Sequence, residues 1–133
     1  VVACDDRPGT LTPEWVPGVY DRRLVDYKNL DELCPIGPRD LVVVATADHK
    51  SDIDVVIQAM RAKPAYLGCL GSRRKTAFVR ARLEQEGFTQ EQIDRLHLPI
   101  GVAIEAEDPE EIAISIAAEM IHLRRTKLVP RKR

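Results

Sequence analysis

The segment Tyr66-Leu67-Gly68-Cys69-Leu70-Gly71-Ser72-Arg73-Arg74-Lys75 constrains the fold more than any other stretch of the chain. An apolar run stops at a glycine, and a serine followed by three cationic residues opens a helical pattern. A strand buried in a parallel sheet would deliver the chain to Gly71, where a missing Cβ permits a tight turn and close backbone approach. The next helix offers free backbone N–H groups and the positive end of its dipole beside Arg73, Arg74 and Lys75. These are the ingredients for holding a phosphate or a carboxylate. They are equally those of an ordinary strand-to-helix turn with solvated basic residues, and the spacing alone does not separate the two.

The rest of the chain alternates strand and helix patterns. Val1-Val2-Ala3-Cys4 reads as a strand ending abruptly at Asp5-Asp6-Arg7-Pro8-Gly9, and Leu24–Tyr27 as a short second one. Asp40–Thr46 is β-branched and apolar without alternation, the pattern of a strand covered on both faces. Residues 51–61 predict a helix with Ser51 and Asp54 at capping-box spacing and Ile53, Val56, Ile57 and Met60 on one face. A helix after Gly71 places Ala77, Phe78, Ala81 and Leu83 inward and stops at Gly87. Thr89 and Gln92 box a short helix ending near His97. Asp108-Pro109-Glu110-Glu111 starts a last helix running to about Arg125, with Ile112, Ala113, Ile116, Ala117, Met120 and Ile121 packed on a sheet. The alternation predicts an α/β domain with a mainly parallel sheet and flanking helices. One domain, residues 1–125, is followed by a basic tail, 126–133.

Composition narrows the function classes. At 133 residues, 44% apolar and 31% charged, the chain suits a globular domain with a real core. No 18-residue apolar stretch exists, so no membrane span is expected. Its three cysteines, Cys4, Cys34 and Cys69, include no CxxC pair and predict neither a zinc knuckle nor a disulfide framework. A reduced, cytoplasmic setting fits them. From Arg124 onward all six charged residues are basic, leaving 14 basic against 21 acidic residues before it. An acidic body with 5% aromatics is not the footprint of a nucleic-acid binder.

A doubly wound nucleotide-binding domain opens with a strand, a Gly-rich turn and a helix, and places an acid about 20 residues on, after its second strand. Here Asp5-Asp6 arrives at once and no GxGxxG occurs. The economical expectation is that residue 1 falls inside the second strand, with the central strand and phosphate loop upstream. A sheet without that strand would have two open edges, calling for a dimer partner or accepting marginal stability. Asp5 or Asp6 can accept hydrogen bonds from ribose hydroxyls, or simply form a turn with Arg7. At the next strand end, within Thr46–Asp52, His49 can act as acid, base or donor with Asp52 orienting it; a helix cap explains Asp48 and Ser51 as well. His49, His97 and His122 lack metal-ligand spacing, so no metal site is expected. No catalytic residue can be named.

Four stretches in order, Asp5-Asp6-Arg7-Pro8, Thr46–Asp52, Tyr66–Lys75 and Pro99-Ile100-Gly101 leading to Pro109-Glu110-Glu111-Ile112-Ala113, resemble the C-terminal domain of the XdhC/CoxI family of xanthine dehydrogenase accessory proteins. The similarity runs from Val1 to about Arg125. Departures are mild: Glu105-Ala106-Glu107 replaces a more glycine-containing stretch, and Cys69 a larger apolar residue. The resemblance implies a Rossmann-like domain, lacking its first βα unit, in a cytoplasmic maturation factor. Such a factor binds, sulfurates or delivers molybdenum cofactor (molybdopterin) to a xanthine dehydrogenase-type molybdenum hydroxylase. Family members normally carry a further N-terminal domain. Carried over by position, Asp5, Asp6 and Arg7 line a nucleotide-like crevice, with Thr46, His49 and Asp52 at the next strand end. Gly71, Ser72, Arg73 and Lys75 form an anion-binding turn. The expected ligand is a small anion or nucleotide, either molybdopterin or NAD(P). The leading reading is an accessory, chaperone-like domain; the rivals are an NAD(P)-dependent oxidoreductase and a nucleotide-sensing regulatory domain.

Overall fold

The computed structural model describes residues 1–128 of the chain, so the end of the basic tail lies outside the described residues. Four short parallel strands and four helices follow one another: β1 (Val2–Asp5), β2 (Asp21–Leu24), β3 (Leu41–Val44), α1 (His49–Ala62), β4 (Tyr66–Cys69), α2 (Arg73–Gln85), α3 (Gln90–Asp94) and α4 (Pro109–Leu123). A 3-10 turn at Leu30–Glu32 precedes β3, and α4 runs on into a π-helical turn at Arg124–Leu128. This is the expected α/β architecture.

The strands form two parallel pairs rather than one continuous sheet. β1 pairs with β2, Val2 opposite Asp21 through Asp5 opposite Leu24. β3 pairs with β4, Leu41 opposite Tyr66 through Val44 opposite Cys69. His97 extends the second pair as a parallel bridge to Gly68, its N–H donating to Leu67 C=O at 2.9 Å and its carbonyl accepting from Cys69 N–H at 3.0 Å. A cleft of about 620 Å³, lined by Val2, Cys4, Val42 and Val44 among others, separates β1 from β3.

β4 is the centre of gravity. All four of its residues are buried. Leu67 and Cys69 join the main core with Val44, Val56, Val79, Leu83 and Ile93. Tyr66 and Gly68 turn the other way, toward α4 and Ile100. A Cβ on Gly68 would lie 2.5 Å from the Ile100 side chain, so glycine here is what lets the two segments close.

Several expectations shift. β2 lies at Asp21–Leu24 instead of 24–27, because its Arg22 and Arg23 give no apolar signal. α1 starts two residues early, capped by Asp48 rather than Ser51. β3 is covered on one face only: Val44 is buried while Leu41 and Val43 are exposed. In α2 the inward residues are Val79 and Leu83, and Phe78 is 60% exposed, so the helix is rotated from the expected phase. Ala77 and Ala81 lie outside the buried set as well. α4 keeps its capping box and Pro109, but only Ser115 is buried, and Ala113, Ala117 and Ile121 face outward. Ile112, Ile116 and Met120 are half-buried on the expected face, and polar pins add to their hold. Glu119 accepts from Tyr66 O–H at 2.7 Å and Gly101 N–H at 3.2 Å, and Ser115 donates to Val102 C=O at 2.6 Å.

Candidate ligand-binding rim

Because β3 and β4 are parallel, their carboxyl ends emerge side by side; Leu70 N–H donates to Val44 C=O at 2.9 Å just beyond them. Each strand then turns into a helix, α1 at His49 and α2 at Arg73. Two helix N-termini therefore share one rim.

Each start is closed by its own cap. Asp48 accepts from Ser51 N–H at 2.8 Å and Ser51 O–H at 2.9 Å, and these two donors hold its carboxyl below the ordinary aspartate value. Ser72 Oγ accepts from Lys75 N–H at 3.3 Å. Between the helices lies a buried ion pair. Asp52 Oδ1 accepts from Thr46 N–H at 2.8 Å and sits 2.7 Å from the Thr46 hydroxyl, while Oδ2 meets Lys75 Nζ. Lys75 also donates to Leu70 C=O at 2.6 Å. The side chains of Asp52 and Lys75 are 2% and 8% exposed. Burying two charges is costly, and this pair offsets that cost by giving each ion a second polar partner.

The lysine stem reaches its partner by crossing Gly71, where a Cβ would stand 2.6 Å from Lys75 Cδ. The glycine thus serves the ion pair as well as the turn. Asp52 is turned to Thr46 and Lys75 rather than orienting His49, and the Lys75 ammonium is spent inside the protein. His49, Ser72, Arg73 and Arg74 remain exposed around the buried frame.

The other candidate residues lie at the end of β1. Asp5 accepts from Arg7 N–H at 2.9 Å and from the Arg7 guanidinium at 3.0 Å through each oxygen, and that side-chain hydrogen bond keeps its carboxyl low. Asp6 is exposed. Asp5 and Thr46 both line the 620 Å³ cleft, which links the two groups of residues. Burial pushes the nearby Tyr27 hydroxyl up to about 12, with Asp5 and Asp6 adding to the shift. Thr46, Asp52, Gly71 and Lys75 are brought together, His49, Ser72 and Arg73 share their rim, and Asp5 stands across the cleft with Arg7 bound to it, while Asp6 does not line the cleft.

Sequence reasoning missed the buried pairing of Asp52 with Lys75, which no local spacing encodes across 23 residues. It also missed Gln58, whose side chain donates to Tyr27 C=O at 2.6 Å and accepts from Leu30 N–H at 2.8 Å, fixing the loop before β3.

Residues 1–120 match the family model described as the XdhC Rossmann domain. The chain belongs to this family. Over 105 residues this XdhC Rossmann domain is 29% identical to the molybdenum cofactor insertion chaperone PaoD of Escherichia coli (strain K12), covering 79% of the chain and 33% of PaoD. Over 93 residues it is 38% identical to the E. coli protein YqeB, covering 70% of the chain and 17% of YqeB. It is 32% identical over 88 residues to a probable xanthine dehydrogenase component of Bacillus subtilis (strain 168), covering 66% of this chain and 24% of that protein. A crystal structure described as a xanthine dehydrogenase from Bacillus halodurans superposes with a TM-score of 0.80 at 30% identity, over 95% of this chain and 35% of that one. The XdhC Rossmann domain spans about a third or less of each of these proteins. Among the described residues no helix is long and apolar enough to cross a membrane.

Proposed function

We propose that this XdhC Rossmann domain serves molybdenum cofactor maturation by holding the anionic end of a molybdopterin-type cofactor at the β3–β4 rim, for delivery to a xanthine dehydrogenase-type enzyme in the cytoplasm. Family membership and the relative named as a cofactor insertion chaperone support the general role. One observation carries the site: two helix N-termini side by side, braced by a buried ion pair that leaves Arg73 at the surface.

The donor set fits a phosphate. The Arg73 and Arg74 amides, ahead of the Lys75 amide that Ser72 caps, offer positive potential together with the exposed Arg73 side chain, and His49 adds a donor from α1. Thr46, Asp52 and Lys75 are positioning residues that keep the two N-termini in register, while Gly71 and Ser72 shape the turn. Asp5, with Arg7 bound to it, meets the distal part of the ligand across the cleft. The role is binding and transfer, with no bond made or broken by these side chains.

Equilibrium titration of the purified chain with molybdopterin cofactor, NADH, NADPH and inorganic phosphate tests this. Molybdopterin is expected to bind, and Arg73→Ala to weaken it about tenfold, the effect of one charge-assisted hydrogen bond. Equal affinity in Arg73→Ala removes Arg73 from the site. Binding of NADH or NADPH without molybdopterin turns the assignment toward the oxidoreductase.

A further inference from the structure

The rim makes no use of the thiols, yet two of the three cysteines meet. Cys4 on β1 and Cys34, 30 residues later, place their sulfurs 3.2 Å apart. Both are half-buried, whereas Cys69 is buried with its thiol 3.6 Å from Leu70 C=O. The contact is held from both sides. Cys4 is locked in the β1–β2 ladder opposite Arg23. Cys34 N–H donates to Leu30 C=O at 2.7 Å, and Leu30 is itself tied to α1 by Gln58. The guanidinium of Arg23, paired with Asp21 at 2.9 Å, donates to Leu33 C=O at 3.2 Å and so ties β2 to the residue before Cys34. Cys4 and Cys34 line the 620 Å³ cleft, so a small molecule has a path to them.

We propose that Cys4 and Cys34 form a redox-active dithiol, closed to an intramolecular disulfide by low-molecular-weight disulfides. A covalent S–S bond is about 2.05 Å, so closure needs the sulfurs to approach by roughly a further 1 Å. The thiol of Cys4 donates its hydrogen bond to the sulfur of Cys34. Burial, with Cys34 adding to it, pushes the Cys4 thiol up to about 12, so Cys34 attacks first and Cys4 resolves.

The Cys34 thiolate attacks one sulfur of the disulfide RSSR, forming Cys34–S–S–R and releasing RS⁻. Cys4 then passes its proton to that thiolate and attacks the Cys34 sulfur, expelling a second RS⁻ that takes up a solvent proton. The two cysteines lose two electrons and two hydrogens, and RSSR becomes two RSH. The bond ties the strand that ends in Asp5 to the loop leading into β3. Oxidation is thereby felt at both walls of the cleft.

Treating the purified chain with oxidised glutathione tests the proposal. Wild type should lose about 2 Da, retain one titratable thiol and yield a Cys4–Cys34 cross-linked peptide, without a lasting glutathione adduct. Cys4→Ser should instead accumulate one glutathione on Cys34, and Cys34→Ser should react about tenfold more slowly than wild type. Peptide mapping of wild type decides the matter even where a variant folds poorly. A persistent glutathione adduct on wild type, a bridge involving Cys69, or three thiols still titratable after treatment would overturn it.

Discussion

The β3–β4 pair and the β1–β2 pair are built from the same kind of four-residue parallel ladder, yet they differ in how they are finished. β4 is hydrogen-bonded on both sides, by β3 and by the His97 segment, and buried throughout. β1 is paired on one side among the described residues, and Val2 is 40% exposed. The buried ion pair sits at the end of the finished half; the Asp5–Arg7 pair, half-buried on the Asp5 side and exposed on the Arg7 side, sits at the end of the open half. A carboxylate locked by tertiary partners can define a site's geometry, whereas one locked by a residue two positions away defines only its own turn. The frame of the proposed site is therefore the Asp52 side.

Removing the buried cation breaks that frame. Lys75→Met leaves the Asp52 carboxylate buried with its cation removed, which costs about 3–5 kcal/mol of stability by the usual penalty for an orphaned buried charge. Adding Asp52→Asn to it should recover a substantial part, because no unpaired ion remains. Urea unfolding of the two variants measures both; a Lys75→Met loss under about 1 kcal/mol would show that the pair does not brace the rim. A smaller effect is expected one layer deeper. Gly68→Ala drives a methyl onto Ile100 and toward the Tyr66 hydroxyl, at 2.5 and 2.8 Å, an overpacking worth about 1–3 kcal/mol. Ile100→Ala in the same chain should return part of it. If the double variant is no better than Gly68→Ala alone, the contact with Ile100 is not what makes glycine necessary.

The same contrast explains what could be read from the sequence. Elements with local signals were legible: the Thr89–Gln92 and Asp108–Glu111 capping boxes both form as written, and Gly71 does stand in the turn between β4 and α2. β2 was displaced because an edge strand made of Asp21, Arg22 and Arg23 carries no hydrophobic period. The inward face of α2 was misjudged because Ala77, Phe78 and Ala81 satisfy the same spacing as Val79 and Leu83, and only packing chooses between them. At the rim, the shared edge of His49 and Ser72 follows from parallel strands and was foreseeable. The partner of Asp52 was not, since carboxylate and ammonium are joined only by the crossover from β3 to β4. Cys4 and Cys34 likewise meet through tertiary structure alone.

The smallest expected effect lies in the open half and concerns acid. The Arg7 side chain, more than burial, sets the Asp5 carboxyl below its ordinary 3.8, so the folded value is depressed relative to the unfolded one. A depressed value means that the contribution to stability is complete above about pH 3.8 and disappears as pH falls through the lower folded value. Removing Arg7 as Arg7→Ala should raise the Asp5 titration toward 3.8 and leave stability at neutral pH nearly unchanged, since the Arg7 side chain is more than half exposed. Carboxyl-carbon NMR titration of Asp5 in both proteins reads this directly. Were Asp5 to titrate identically with and without the Arg7 side chain, the backbone N–H groups of residues 6 and 7, and not the guanidinium, would set its low value, and the ion pair would add nothing to the turn.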